Sequence, residues 1–324
     1  MKYLDHDSYE HCLREHFGSP AMAAARLAGV PAMPSGYYDI VRFFGRDGCD
    51  PRRVSIRYDE EEFCIVDPLI ANFAKEMIAG MTEAGRLYSG APAMHAKEVD
   101  LSGHKPYLRV QPCDYALQAG SCFALDYRHE IWRERGETLR QYYLNKLPNH
   151  TLNNNPLATC LGVCAWLTVR DGSDRRLVLL RRAGHLASLA GTVGPTVAGS
   201  VDFVTTWTNL HVVLIDSLRQ EAREELGLTP QEFSVIPLAY GREIFRGERP
   251  QLLALIESNL GVGEMAERLA AIPSTQREFD RVEFTPVHDF DSAAGMTERL
   301  NHEGLFNLLL CQEYVYWMRS DSAS

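Results

Sequence analysis

The chain has 324 residues, 45% of them hydrophobic and 23% charged, and a formal net charge of −10. That balance suits an ordinary water-soluble protein of one large or two small domains, able to bury a full core without staples. The acidic excess disfavours nucleic acid as a partner, because phosphate contacts need clustered Lys and Arg, and no run of about 18 apolar residues points to the membrane.

The polar opening Met1 to Asp7 carries no signal-peptide pattern, so a cytoplasmic location is expected. Residues 5–17 and Met22 to Ala28 read as short helices, closed by Gly18-Ser19-Pro20 and Gly29. His6, His11 and His16 recur every five residues, which is off-register for one helix face, so a surface role is expected rather than a ligand set. Pro31, Pro34 and Gly36 mark a loop before the Tyr37 to Phe44 segment, Arg53 to Tyr58 alternates as a strand, Glu60 to Glu62 reads as a solvated turn, and Phe63 to Val66 as extended. From Pro68 to Leu87 the apolar residues Leu69, Ile70, Phe73, Met77, Ile78 and Met81 follow helical spacing. Tyr107 to Val110, Tyr115 to Leu117 and Cys122 to Tyr127 are expected as short strands, and Glu130 to Leu147 as a charged helix.

Pro148 to Pro156, with its asparagine run, reads as a linker and divides the chain into 1–150, a smaller α+β N-terminal unit, and 151–324. Beyond it, Leu161 to Val169 is an apolar strand, Asp171-Gly172 a turn, and Arg176 to Arg182 a second strand. Phe233 to Arg246, Pro250 to Ser258 and Glu278 to Val287 are further strands, and Met296 to Arg319 is a helix whose aromatic residues are expected on its own core, with a homodimer surface as the alternative. The eight cysteines are scattered. Cys160 and Cys164, expected on one strand face, lack a second ligand pair for zinc, so all eight are read as reduced and mostly buried.

Residues 220–228, Gln-Glu-Ala-Arg-Glu-Glu-Leu-Gly-Leu, carry the chemistry. Glu221, Glu224 and Glu225 stand at i, i+3 and i+4 of one helix and converge on a small patch that repels itself unless a cation sits in it. Carboxylate oxygens suit Mg²⁺ or Mn²⁺, and Mg²⁺ completes its octahedron with waters and substrate phosphates. This stretch resembles the second half of the Nudix box, Gly-x5-Glu-x7-Arg-Glu-U-x-Glu-Glu-x-Gly-U, with Ala222 and Leu228 at aliphatic positions U. The first half departs from it: Gln220 replaces the Arg, and the expected Glu and Gly fall on Val212 and Thr206. Val-Ala-Gly-Ser-Val-Asp at 197–202 is similar to the loop that opens the box, which implies about seven extra residues from Phe203 to Asn209 and beyond. The resemblance covers roughly 153–292.

The resemblance implies an α/β/α sandwich around a mixed sheet, preceded here by the N-terminal unit, and metal-dependent hydrolysis of a nucleoside diphosphate linked to another group. It implies Glu221, Glu224 and Glu225 as ligands of Mg²⁺ or Mn²⁺, with a backbone carbonyl at Ala198 and close phosphate approach at Gly199. Asp202 and Asp216 are candidates for the lost acid. Arg181 and Arg182 are candidates for phosphate or a substrate carboxylate. The general base is either a box glutamate or a group on a later segment, Glu278, Asp280 or Glu283, with Glu278 the leading candidate. Trp207 either stacks on a base or anchors the insertion. Three readings stand: a hydrolase, a nucleotide sensor that has lost turnover, and an isomerase of a diphosphate. The three intact glutamates favour the hydrolase.

Overall fold

The computed structural model describes residues 38–44, 49–85, 87, 92–133, 138–146, 155–184, 191–243 and 246–286, then 300, 301, 303, 304, 306–308, 310, 311 and 314. The two expected N-terminal helices, the three spaced histidines and the ends of the C-terminal helix lie outside these residues.

The strands, in chain order, are β1 Tyr38–Phe43, β2 Ser55–Tyr58, β3 Pro92–Asp100, β4 Tyr107–Asp114, β5 Gly162–Asp171, β6 Asp174–Arg182, β7 Val193–Gly194, β8 Val197–Ser200, β9 Phe233–Glu243, β10 Arg249–Gly261 and β11 Phe279–Pro286. One sheet runs β1-β9-β10-β5-β6-β11, with β7 on β6 and β8 on β5; a smaller one runs β2-β4-β3. β10 and β5 are parallel and the other pairs of the large sheet antiparallel, so that sheet is mixed, as expected. The Asp171-Gly172 turn closes the β5–β6 hairpin with Gly172 at φ +63°, where a side chain would be strained.

β5 is apolar from Gly162 to Leu167 because both of its faces are covered there, and it turns charged at its exposed end, Arg170 and Asp171. Val163, Ala165, Leu167 and Val169 join one core with Val213, Leu214 and Leu218 of the helix Leu210–Leu226. Cys164 and Trp166, on alternate positions, join a second core with Phe306, Leu308, Leu310 and Cys311 of the C-terminal helical residues. Trp166 Nε1 donates to the Gly304 carbonyl at 2.9 Å, and Asn307 Nδ2 donates to the carbonyls of Cys164 and Ala254 at 3.2 Å each. The sheet therefore lies between helices.

The first core also crosses the expected boundary near 150. β1 pairs with β9 in the large sheet, and Val54, Ile56, Met94, Ala96, Leu108 and Val110 of the small sheet pack with the β5 side chains. Backbone bonds join the parts: Met94 N donates to Val201 O, and Leu161 N to Met94 O, both at 2.7 Å.

Several local expectations are corrected. Tyr115 to Leu117 and Cys122 to Tyr127 are not strands: Tyr115–Gly120 is α-helical and Cys122–Ala124 a 3-10 turn, because the Asp114 carboxylate caps the Ala116 N–H at 2.8 Å. The helix expected over Glu130 to Leu147 is two pieces, Glu130–Arg133 and Leu139–Lys146, with 134–137 outside the described residues. The helix Pro68–Glu83 is capped at its start by Asp67 and stops short of Leu87, with Gly85 at φ +64° just beyond. Cys160 precedes β5 and packs with Cys113, apart from Cys164. β3 and the helix Val262–Ala271 were not expected. The seven described cysteines are free thiols, all buried except Cys64. Among the described residues no helix is long and apolar enough to cross a membrane.

Candidate functional site

The acidic helix is longer than residues 220–228. It starts at Leu210, where the Asn209 side chain accepts the Val212 N–H at 3.1 Å, and ends at Gly227, whose φ of +65° turns the chain so that Leu228 N reaches the Ala222 carbonyl at 3.1 Å. Residues 201–209 before it form a loop, and 210–219 put about three helical turns ahead of Gln220. Leu210, Val213, Leu214, Leu218, Ala222 and Leu226 bury one stripe against the sheet. Glu221 and Glu225, one turn apart, are left beside β8.

β8 receives both carboxylates. Val201 N donates to Leu161 O, so alternate β8 residues turn their polar groups toward β5 and the residues between turn them away. Ala198 is one of those between, and its N–H is among the groups that favour the charged Glu225 carboxylate. At Gly199 the Glu221 carboxylate lies against Cα in the space that any Cβ would take. Here the glycine leaves room for the Glu221 side chain.

The charges are unevenly matched. Burial, then Glu224, Glu278 and Asp202, pushes the Glu221 carboxyl up to about 7, while Arg249 pulls the other way. Burial, then Glu221 and Glu278, raises Glu225 well above the carboxylate range, against Arg182 and the Ala198 N–H. Five acids therefore share one field. Among the described residues no three His, Cys, Asp or Glu side chains are arranged to hold a metal as they stand; Glu221 and Glu225 are drawn onto β8.

Glu278, some fifty residues beyond the helix, reaches this field because its carbonyl accepts from Ala183 N at 2.9 Å where β11 begins its pairing with β6. Asp202 accepts from Gln220 Nε2 at 3.2 Å, so the residue at the altered Arg position holds the loop acid. Glu224 is exposed, its nearest cation being Arg223 at 4.0 Å. Asp216 is exposed and lies 3.7 Å from Arg219, away from the cluster. Arg182 feeds the field, whereas Arg181 pairs with Asp280 at 2.6 Å on the surface. Asp280 is thereby occupied, and Glu283 faces Arg281 at 3.0 Å. Trp207 packs on the first core and its carbonyl accepts from Tyr58 Oη at 2.6 Å, which anchors the insertion.

A buried polar network behind β8 was not foreseen. Arg249 donates to Glu243 (3.1 Å), to the carbonyls of Cys160 (3.3 Å) and Gly199 (3.4 Å), and to Ser200 Oγ (3.3 Å). Arg246 lies 3.7 Å from both Glu243 and Glu303, and Gln251 Nε2 donates to Glu303 at 2.7 Å. Gln118 Nε2 reaches Ser200 Oγ at 3.2 Å. The only local signal was three charges, Arg246, Glu248 and Arg249, in a stretch that otherwise reads as a turn.

No family model and no curated protein matches the chain. Among solved structures it resembles the Nudix domain of Shewanella oneidensis NrtR complexed with ADP ribose, at 15% identity and a TM-score of 0.32, covering 53% of this chain and 97% of that one. A mutT/nudix family protein from Listeria innocua gives 15% identity and a TM-score of 0.34, covering 51% and 98%. The C. elegans Ap4A hydrolase gives 12% and 0.30, covering 49% and 98%.

Proposed function

We propose that the chain is a metal-dependent hydrolase that cleaves the diphosphate bond of a nucleoside diphosphate linked to another group. The observation that carries this reading is the convergence of Glu221, Glu225, Asp202 and Glu278 beside β8, against which the described residues set Arg182 and Arg249. An all-carboxylate set that pushes its own protons on suits a hard divalent ion, and Mg²⁺ or Mn²⁺ fits oxygen donors of this kind. Glu221 and Glu225 would hold the ion, with Glu224 and the Ala198 carbonyl as further ligands. Bound there, the ion would neutralise phosphate charge and lower the pKa of an attacking water.

The chain's own groups supply the rest. Arg182 offers a cation for a phosphate oxygen at the edge of the acidic field. Glu278 is the proposed general base, being exposed and close enough to raise both half-buried glutamates. Gly199 keeps the backbone clear so that the Glu221 carboxylate can lie on it. The residues before 150 would act as a support unit, since the small sheet holds β8 through Met94 and Val201.

The test is a panel of nucleoside diphosphate sugars, ADP-ribose, NADH, dinucleoside polyphosphates and nucleoside triphosphates with Mg²⁺ or Mn²⁺, products read by mass. Metal-dependent release of a nucleoside monophosphate supports the hydrolase; Glu225→Gln should abolish it, and Gly199→Ala should lower it by roughly a hundredfold, since its methyl takes the Glu221 carboxylate's place. A nucleotide sensor is the second reading, favoured by Gln220 and by carboxylates already folded onto β8; thermal stabilisation by one panel compound without any product would select it.

A further inference from the structure

We propose that Arg249 is the positioning cation of the site: from β10 it fixes the β8 strand and, through Gly199, the Glu221 carboxylate that lies on it. The proposal rests on the hydrolase reading for its consequence, but on geometry for its substance.

Arg249 is buried and spends its donors on a small area. Nη2 reaches the Gly199 carbonyl and Ser200 Oγ, Nε reaches the Cys160 carbonyl just before β5, and Nη1 is held by Glu243. One planar group thus ties β8, the start of β5 and β9 together, a geometry that guanidinium provides and ammonium does not. Gly162 makes room for it: a Cβ there would collide with Arg249 Nη2 and Gln251 Oε1. The same Gly199 that gives its carbonyl to Arg249 carries the Glu221 carboxylate on its Cα, so the guanidinium and the carboxylate lie on one residue from two sides. Gln220 is meanwhile engaged with Asp202.

Glu243 in turn sets Arg249. It is fully buried, and Arg246 lies on its other oxygen at 3.7 Å. Removing Arg249 alone would strand that carboxylate and could unfold the chain, so the test uses the charge-neutral double variant Arg249→Gln with Glu243→Gln, and Arg249→Lys beside it, all in the full chain.

Two readouts are taken. Hydrogen exchange of the metal-free protein should quicken by roughly tenfold or more at residues 197–201, while 252–256 in β10 keep their protection. Titration with Mn²⁺ alone should show affinity weakened by roughly tenfold in the double variant and by less in Arg249→Lys. Unchanged exchange at 197–201, or an equal rise there and at 252–256, would overturn the positioning role. If the parent protein binds no Mn²⁺ the hydrolase reading fails, and the exchange comparison still decides for or against Arg249.

Discussion

Two sets of acids lie on either side of β8, one buried and one half-buried, and they have opposite balances. Behind the strand, Glu243 and Glu303 face Arg246 and Arg249, two acids against two guanidiniums. In front, Glu221 and Glu225 share a field with Glu224, Asp202 and Glu278, opposed among the described residues by Arg182 and Arg249. A balanced network can stand alone as structure, whereas an acid-rich one is costly when ionised and gains most from a cation. The contrast separates scaffold from site more sharply than exposure does.

The strongest attempt to break the contrast is Glu243→Ala. It leaves two guanidiniums buried with one acid fewer, and a broken buried pair of this kind costs about 3–5 kcal/mol. Denaturant unfolding of the metal-free protein should show that loss at neutral pH. A loss within about 1 kcal/mol would mean that water satisfies the network and that the two sets are not different in kind.

The opposite sign is expected in front. Glu221 has a folded-state value of about 7 against an ordinary value of 4.5, so the proton is held more tightly in the folded state. Its contribution to stability is present in full below about pH 4.5 and disappears as pH rises through about 7. Glu221→Gln should therefore stabilise the metal-free protein by about 3 kcal/mol at pH 8 and by under about 1 kcal/mol at pH 5. In the parent, Mn²⁺ should raise the melting temperature more at the higher pH, and in the variant much less. A variant less stable than the parent at both values would show that Glu221 is paired rather than strained.

His95 sets the acid limb of the same curve and has to be separated from it. Burial pushes it down to about 3; Phe63 stacks on its ring at 4.1 Å. Here protonation favours the unfolded chain, so stability is lost as pH falls below about 6.5, by about 2 kcal/mol at pH 5. In Glu221→Gln that acid loss should persist unchanged; replacing His95 with Gln should flatten it.

What the sequence revealed follows from how local each signal is. Glu221, Glu225 and Gly227 were legible because helical spacing and a left-handed cap act within one turn. The β5–β6 hairpin was legible from Asp171-Gly172. Glu278 could be nominated but not placed, since only the β6–β11 register brings it beside Arg182. Arg249 was invisible: its partners at 160, 199, 200 and 243 meet it only when β10 pairs with β5 and β9. β3 was missed because Ala, Lys and Glu are poor strand formers and its support is the β4 ladder. The helix at Tyr115 was taken for a strand because an apolar triplet outweighed the Asp114 cap.

The smallest expected effect is the control for all of these. Glu232 receives both Arg268 terminal nitrogens, at 2.6 and 2.8 Å, together with the Thr229 N–H at 2.7 Å, and these bonds hold its carboxyl down to about 2. The depressed value means stability that is present above about pH 4.5 and lost as pH falls toward 2, the reverse of Glu221. Both side chains stay in contact with water, which screens the pair, and two parallel bonds on a surface contribute about 1 kcal/mol or less. Arg268→Gln should lower stability by that amount at pH 7, leave it unchanged near pH 2, and show no response to Mn²⁺. If adding salt to about 1 M erased the Arg268→Gln difference but left the Glu243→Ala loss in place, the ranking of paired acids by burial would hold.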